Sequence, residues 1–141
     1  MAIDKMMDIA GSAMSAQLVR MNTTASNLAN AGVVASSPDG AYKAKRAEFS
    51  TILQQAAARQ PGMTAGGVRV NQIVEDNTPV RQVFDPGSPQ ADANGYVWAS
   101  NINPMQEMID IMDASRAYEN NIQVIVTGKE LMIRTLDVTK A

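Results

Sequence analysis

The carboxylates of this chain are the side chains that could support catalysis. Asp85 and Asp92 form one sequence pair and Glu107 and Asp110 another, and paired carboxylates can act as general acid and base. The sequence contains no histidine and no cysteine, which removes the commonest general base, thiol chemistry and most zinc sites. No apolar pocket pattern surrounds either pair. We therefore expect turn and helix-start roles for these acids, no enzymatic activity and no cofactor.

Three further motifs are too incomplete to predict a ligand site. The serines at 36–37 lack a base, and the glycines within 62–67 do not lie between a strand and a helix, as a phosphate loop requires. Asp92 and Asn94 match the start of a calcium loop, but its later glutamate is missing. The sequence therefore predicts no metal and no small-molecule substrate.

Charge and hydropathy exclude several partner classes. The formal net charge of −2 gives no electrostatic reason to expect a nucleic-acid partner. No apolar run reaches the roughly 18–20 residues that a membrane span needs. The N-terminus also lacks a basic start followed by an apolar block, so we expect no cleaved secretory signal.

The last third of the chain is predicted to be one long helix that begins at Asn103. Asn103 is a preferred N-cap, Pro104 suits the first helical position, and Gln106 can complete a capping box. The residues that follow at spacings of three and four form a heptad stripe: Met108, Ile111, Ser115, Tyr118, Ile122, Ile125, Lys129, Met132 and Leu136. Such a helix is roughly 50 Å long at about 1.5 Å per residue, so it needs a partner.

The N-terminal stretch repeats this spacing and is predicted to be a helix that ends near Ala31. Its stripe consists of Ile3, Met7, Ala10, Met14, Gln17, Met21, Thr24 and Leu28. Asn30 and Gly32 are plausible left-handed stop residues. Two interpretations are open: an intramolecular helical hairpin, or terminal helices that fold fully only when subunits pack together. The adaptable methionines, the polar interruptions and the terminal positions favour the second.

The middle of the chain is predicted to be loop followed by a small β region. Residues 42–46 are predicted to be extended with a solvated basic face, a contact to an acidic neighbour being the minority interpretation. Phe49, Ile52 and Leu53 indicate a helical turn, and residues 60–67 a flexible link. Strands are predicted at 68–74, 80–84 and 96–98, the last following an Asn94-Gly95 turn with both large aromatics on one face.

The predicted fold class is thus mainly α with a small β region. Long N- and C-terminal helices pair as a coiled-coil layer, and a short β-hairpin or three-stranded element with extended loops lies at the centre. Along the chain we expect four segments: an N-terminal helix at 1–31, a loop or linker at 32–67, the β element at 68–102 and a C-terminal helix at 103–141.

Sequence blocks over nearly the whole chain resemble the bacterial flagellar rod and hook axial proteins. The blocks are residues 14–17, 20–31, 42–49, 86–97, 101–103, 107–110 and 114–121. The block at 86–97 is similar to the proximal-rod members in particular. Two departures are visible: Ser88 occupies a position where the family has histidine, and the loop at 33–39 differs. Neither lies in the predicted helices.

The resemblance implies a structural subunit of the flagellar basal-body rod, a periplasmic drive shaft that transmits torque for cell motility. Such subunits are exported by the flagellar type III apparatus without a cleaved signal and self-assemble with neighbouring rod proteins. The assembly interface is then expected to include Ile3, Met7, Met14, Met21, Asn27, Leu28, Asn30, Met108, Ile111, Tyr118, Ile122, Ile125, Met132 and Leu136. The alternative is a soluble helical-hairpin adaptor that binds a partner helix in a groove. An enzyme using carboxylates alone is a weaker third.

Overall fold

A computed structural model describes residues 2–52 and 66–140. Its elements, in chain order, are α1 (Ala2–Asn30), β1 (Val34–Ala35), β2 (Lys45–Thr51), β3 (Val68–Glu75), β4 (Arg81–Phe84), β5 (Tyr96–Ala99) and α2 (Pro104–Lys140). Two long terminal helices and small antiparallel sheets confirm the predicted class, mainly α with a small β region.

Helix α2 begins where local chemistry predicts. The Asn103 side-chain oxygen accepts a hydrogen bond from the Met105 amide at 3.1 Å, which satisfies one of the free N–H groups of the first turn. The Glu107 amide bonds to the Asn103 carbonyl at 3.1 Å, which closes that turn. Pro104 is the first helical residue, as its fixed φ favours.

Helix α1 ends one residue before the predicted position. The Ala31 amide bonds to the Leu28 carbonyl at 3.3 Å and the Val33 amide to the Asn30 carbonyl at 3.1 Å, so the helix ends in tightened turns. The expected left-handed stop is wrong, because neither Asn30 nor Gly32 has a positive φ. Hydrogen bonds from an amide to the carbonyl three residues earlier satisfy the Leu28 and Asn30 carbonyls instead.

Strands β1, β5 and β4 form an antiparallel sheet in that order. Phe84 lies opposite Tyr96 and Val83 opposite Val97, so one face presents the aromatic pair, whose ring centroids are 5.2 Å apart. Val97 lies on the other face and is buried. The predicted strands at 80–84 and 96–98 are confirmed, whereas β1 is new, since two residues are too few to show a periodic pattern.

The connection between β4 and β5 ends in a tight turn at Asn94-Gly95. Gly95 has a φ of 81°, and a Cβ there would lie 2.9 Å from Cε2 of Phe84, so only glycine fits. The Asp92 carboxylate accepts the amides of Asn94 at 2.8 Å and Tyr96 at 2.9 Å. Asp92 is therefore a turn residue, as expected, and this turn accounts for its resemblance to a calcium loop.

The predicted helical turn around Phe49 and Ile52 is wrong. Phe49 lies in β2, which pairs with β3 in a two-stranded sheet. The Ile52 amide bonds to the Gly67 carbonyl at 2.8 Å, just beyond the strand ends. The spacing of the apolar residues fits a helix, but pairing with a distant strand decides the structure. Leu53 and the part of the predicted link at 60–65 lie outside the described residues.

The chain divides into two compact units. Unit 1 comprises Met1–Val19, Glu48–Gln72 and Asp113–Ala141, and unit 2 comprises Arg20–Ala47 and Ile73–Met112. The buried described residues of unit 1 are small: Ala10, Ala16, Ala114 and Gly128. Those of unit 2 include polar groups with the apolar ones: Thr23, Thr24, Asn27, Ala41, Ala44, Val97, Ala99, Ser100, Ile102 and Glu107.

Candidate assembly site

A buried carboxylate lies at the centre of unit 2. Glu107, in the first turn of α2, and Asn27, near the end of α1, are both fully buried. Arg46 Nη2 lies 2.7 Å from Glu107 Oε1, and Asn27 Nδ2 donates to Glu107 Oε2 at 3.0 Å. Burying a charge is costly unless it is paired and hydrogen-bonded, so these three residues depend on one another.

Asn27 also joins α1 to the beginning of β2. Its amide nitrogen donates to the Lys45 carbonyl and its oxygen accepts the Lys45 amide, both at 2.8 Å. The Tyr42 hydroxyl donates to the same oxygen at 3.4 Å. Because the Asn27 side chain uses both its donor and its acceptor groups, an apolar replacement would leave buried backbone groups unpaired.

A second acid extends this cluster. Asp110 Oδ1 lies 3.3 Å from Arg20 Nη2, and Asp110 Oδ2 lies 3.5 Å from Arg46 Nη1. The preferred interpretation of the basic run as a solvated face is therefore wrong for Arg46, which bridges two acids. Glu107 and Asp110 do lie at the helix start, as expected. The sequence pattern did not predict that the Glu107 side chain is buried.

Two polar residues before α2 hold neighbouring loops, a role that their residue types alone did not predict. Asn101 Oδ1 accepts the Ala44 amide at 2.7 Å, and its nitrogen donates to the carbonyls of Asp76 at 3.1 Å and Thr78 at 2.9 Å. Ser100 Oγ donates to the Ala31 carbonyl at 2.8 Å. Polar residues between a strand and a helix signal such a role only weakly.

In unit 1, α1 and α2 approach closely at Gly128. A Cβ atom at this buried glycine would lie 3.2 Å from Met6 Cε, 3.6 Å from Met7 Cγ and 3.9 Å from Ile3 Cγ2. Elsewhere in this unit Ser12 Oγ accepts the Val68 amide at 3.1 Å. The absence of a side chain at Gly128 is what permits this distance between the helices.

The expected interface residues fall into three exposure classes. Asn27 is fully buried. The partly buried ones are Ile3, Met7, Met14, Met21, Leu28, Asn30, Ile111, Tyr118, Ile125 and Met132. Met108, Ile122 and Leu136 are exposed, at 51%, 39% and 54%. The structure brings Asn27 into the Glu107 cluster and places Ile3 and Met7 beside Gly128.

Comparison with known proteins decides the family. Residues 7–34 match the family described as flagella basal body rod protein, and residues 93–138 match the flagellar basal body rod FlgEFG protein C-terminal family. The chain is 48% identical over 137 residues to the flagellar basal-body rod protein FlgC of Yersinia enterocolitica, covering 96% of this chain and 97% of that one. The chain belongs to the FlgC family of flagellar basal-body rod proteins.

Other FlgC relatives agree along the full length. Identity is 47% over 137 residues with FlgC of Salmonella typhimurium, covering 96% of this chain and 97% of that one. It is 32% over 145 residues with FlgC of Bacillus subtilis, covering 95% and 96%. Membership confirms the resemblance to the axial proteins.

As a member of the FlgC family, this chain is a structural subunit of the flagellar basal-body rod and not an enzyme. It belongs to the basal body and assembles with other rod components. The matched segments contain α1 from residue 7 onward and α2 up to residue 138. None of the helices in the described part of the chain has the length and apolar character to cross a membrane.

Proposed function

We propose that this rod subunit self-assembles through α1 and α2, which pair as a coiled-coil layer, into the periplasmic drive shaft that transmits torque. Its partners are copies of itself and neighbouring rod proteins. It reaches the rod through the flagellar type III export apparatus without a cleaved signal. The soluble adaptor alternative has no specific observation in its favour.

The observation that carries the proposal is the apolar surface of α2. Met105, Met108 and Met112 are 67%, 51% and 54% exposed, and Ile109 is 49% exposed. Farther along, Leu131 and Ile133 are 48% and 50% exposed. The three methionines and Ile109 lie on one side of the helix, and contiguous apolar surface of this kind marks interaction sites. Burying it in an assembly gains roughly 25 cal/mol per Å².

The expected interface residues would then act in two ways. The partly buried ones pack α1 against α2 within the subunit, while Met108 and Ile122 remain available to a neighbouring subunit. Torque would pass through many such helix–helix contacts at once, so the shaft requires no single strong site.

The experiment compares two adjacent positions on α2. Ile122 is 39% exposed and Gln123 is exposed on a different side of the helix. We expect Ile122→Asp to leave the cellular level of the chain unchanged and to abolish swimming and rod assembly, because the assembly would bury an unpaired carboxylate. Gln123→Asp adds the same charge and should be tolerated far better. Normal swimming with Ile122→Asp at normal protein levels would refute the proposed layer.

A further inference from the structure

Strand β4 is an exposed edge of the three-stranded sheet in unit 2. It lies at one end of the order β1-β5-β4, and all four of its residues, Arg81–Phe84, are exposed. Val83 and Phe84 are large and apolar, and they are 42% and 62% exposed. Proteins usually protect a sheet edge with lysine, proline or a covering element. β4 contains neither lysine nor proline, and no strand within 2–52 or 66–140 pairs with its outer side.

The backbone groups on this open edge belong to Gln82 and Phe84. The Asp85 amide bonds at 2.9 Å to the carbonyl of Gly95, the residue directly across from it, so the two form a hydrogen-bonded pair of the β4–β5 ladder. Hydrogen-bonded and non-hydrogen-bonded pairs alternate along antiparallel strands. The amides and carbonyls of Gln82 and Phe84 therefore point away from β5, where a further strand would bond to them.

Two prolines limit how far an added strand can extend the pairing. Pro79 precedes β4 and Pro86 follows Asp85, and proline has no N–H to donate. Pro86 lies two residues after Phe84, so it belongs to the alternating set that faces the open edge. An antiparallel partner is therefore confined to the stretch between the prolines, which leaves few registers available.

The charges at the two ends of this stretch are opposite in sign. Arg81 and Asp85 are exposed, and neither forms an ion pair with any residue in 2–52 or 66–140. Both lie on the same face of the sheet as Val83, which is midway between them, because the side-chain period of a strand is two. Antiparallel pairing of this stretch with itself, centred on Val83, puts Arg81 of each copy opposite Asp85 of the other.

We infer that two copies of this chain pair through their β4 strands, antiparallel and centred on Val83, so that their two sheets join as one. Gln82 of each copy then lies opposite Phe84 of the other, and the open backbone groups of both bond across the contact. Two ion pairs flank the central Val83 pair. A shift of the register by two residues places Arg81 opposite Val83 or Gly87 and removes both ion pairs, so the charges select this register.

This contact uses the same surface on both copies, so it is isologous. An isologous contact closes as a pair and does not continue as an array. It therefore concerns the chain outside the shaft, and it goes beyond the proposed function without depending on it. Because the stretch is short, the pair is expected to be weak and reversible. It covers an edge strand that is otherwise open to aggregation while the subunit is unassembled.

Disulfide formation at position 83 in the purified full-length chain tests the register, and the natural chain has no cysteine to interfere. The Cα atoms of a non-hydrogen-bonded antiparallel pair lie about 4.5 Å apart, a distance that a disulfide spans. We expect Val83→Cys to become mostly covalent dimer in a glutathione redox buffer. Gln82→Cys is the matched control, because position 82 is also exposed but lies opposite position 84. It should give about tenfold less dimer or lower still.

Charge exchange between two chains provides a second test that needs no cysteine. Arg81→Asp places acids opposite acids and Asp85→Arg places bases opposite bases, so each variant alone should associate about tenfold more weakly than the natural chain. An equal mixture of the two should associate as the natural chain does, because position 81 of each copy then faces the opposite charge at position 85. Sedimentation velocity compares the samples, and unchanged fluorescence of Trp98 in β5 shows that the sheet still forms.

Three outcomes would overturn the inference. No more dimer from Val83→Cys than from Gln82→Cys means that the copies do not meet at β4 in this register. A mixture of the charge variants that associates no better than either alone means that the charges do not face each other. In cells treated with a short bismaleimide, a product that joins Val83→Cys to a different protein in place of its own dimer means that the partner is not a second copy. Absence of the natural chain from purified basal bodies would contradict the proposed function instead.

Discussion

Individual residues decide how unit 2 is held together, and Glu107 is the clearest case. It is fully buried and its charge is balanced by Arg46, 2.7 Å away, and by the amide of Asn27. The sequence places Glu107 correctly at the start of a helix, but it cannot show burial. That property depends on Arg46, which is far away in the chain and meets Glu107 only after β2 has formed.

The ion pair gives a stability prediction. Arg46→Ala should lower the free energy of unfolding by about 3 kcal/mol, the lower end for breaking a buried pair because the Arg46 side chain is 40% exposed. Glu107→Gln removes the buried charge itself and should cost less. Denaturant unfolding followed by fluorescence of Trp98, the single tryptophan, measures both. Equal losses for the two variants would mean that the pair does not balance a burial cost.

Asp76 gives a pH prediction. Its carboxylate accepts hydrogen bonds from the Thr78 hydroxyl at 2.6 Å and the Thr78 amide at 2.9 Å, and these bonds lower the pKa of Asp76 below its ordinary value of 3.8. A lowered pKa in the folded state stabilises the fold above the ordinary pKa. That contribution is lost as pH falls through the folded-state pKa.

Thr78→Val should therefore raise the pKa of Asp76 towards its ordinary value, because the stronger of the two causes is removed. Titration of the Asp76 carboxyl carbon by NMR in both proteins measures the difference. Asp76→Asn serves as the control that identifies the signal. An unchanged pKa in Thr78→Val would assign the shift to a cause other than the hydroxyl.

Elements differ in how far the sequence predicts them. The start of α2 follows from Asn103 and Pro104 alone, because capping is local chemistry. The tight turn before β5 follows from Gly95 in the same way. Strand β2 was predicted only at its first two residues, Lys45 and Arg46, because the apolar residues that follow fit either a helix or a strand until β3 pairs with them. These two local signals predicted the structure correctly, whereas the pairing of β2 with a strand distant in sequence could not be predicted.

The same pattern applies along α2. The predicted stripe includes Met108 and Ile122, but both are exposed, and the buried positions in the unit 1 part of α2 are Ala114 and Gly128. The hydrophobic spacing predicts that large apolar residues are buried, whereas closely packed helices bury small residues between them. The candidate interface could therefore be placed on the correct helices from sequence. Only the structure shows which of these interface residues remain exposed.

Gly128 gives an element-scale prediction. Gly128→Ile should destabilise the α1–α2 contact of unit 1 by about 1–3 kcal/mol, because a Cβ there is already 3.2 Å from Met6 Cε. Gly11, in α1, has no atom within 4 Å of such a Cβ. Gly11→Ala should therefore stabilise its helix by about 1 kcal/mol. Thermal unfolding of purified rods, in which both helices are expected to be ordered, compares the two variants by circular dichroism, and tolerance of isoleucine at 128 would contradict close packing.

For the whole molecule, the proposed function requires a subunit that passes through an export route and then becomes rigid in the shaft, so the stability of its terminal helices outside the assembly is the central question. The buried described residues of unit 1 are only alanines and a glycine, which bury little apolar surface. Gln17 Oε1 is buried without a hydrogen-bond partner among the described residues, which costs free energy. These features favour weak pairing in a single subunit.

We therefore predict that α1 and α2 are largely disordered in the dilute monomer and become ordered on assembly. Hydrogen exchange measures this directly, because amides in unformed helices exchange without protection. In the monomer we expect little protection within 2–19 and 113–138, against clear protection of the same amides in purified rods. Residues 96–99 in β5, where Val97 is buried, provide the internal reference. Strong protection of both helices at low concentration would mean that the subunit folds before it assembles, because the intramolecular contacts at Gly128 would then suffice without a neighbour.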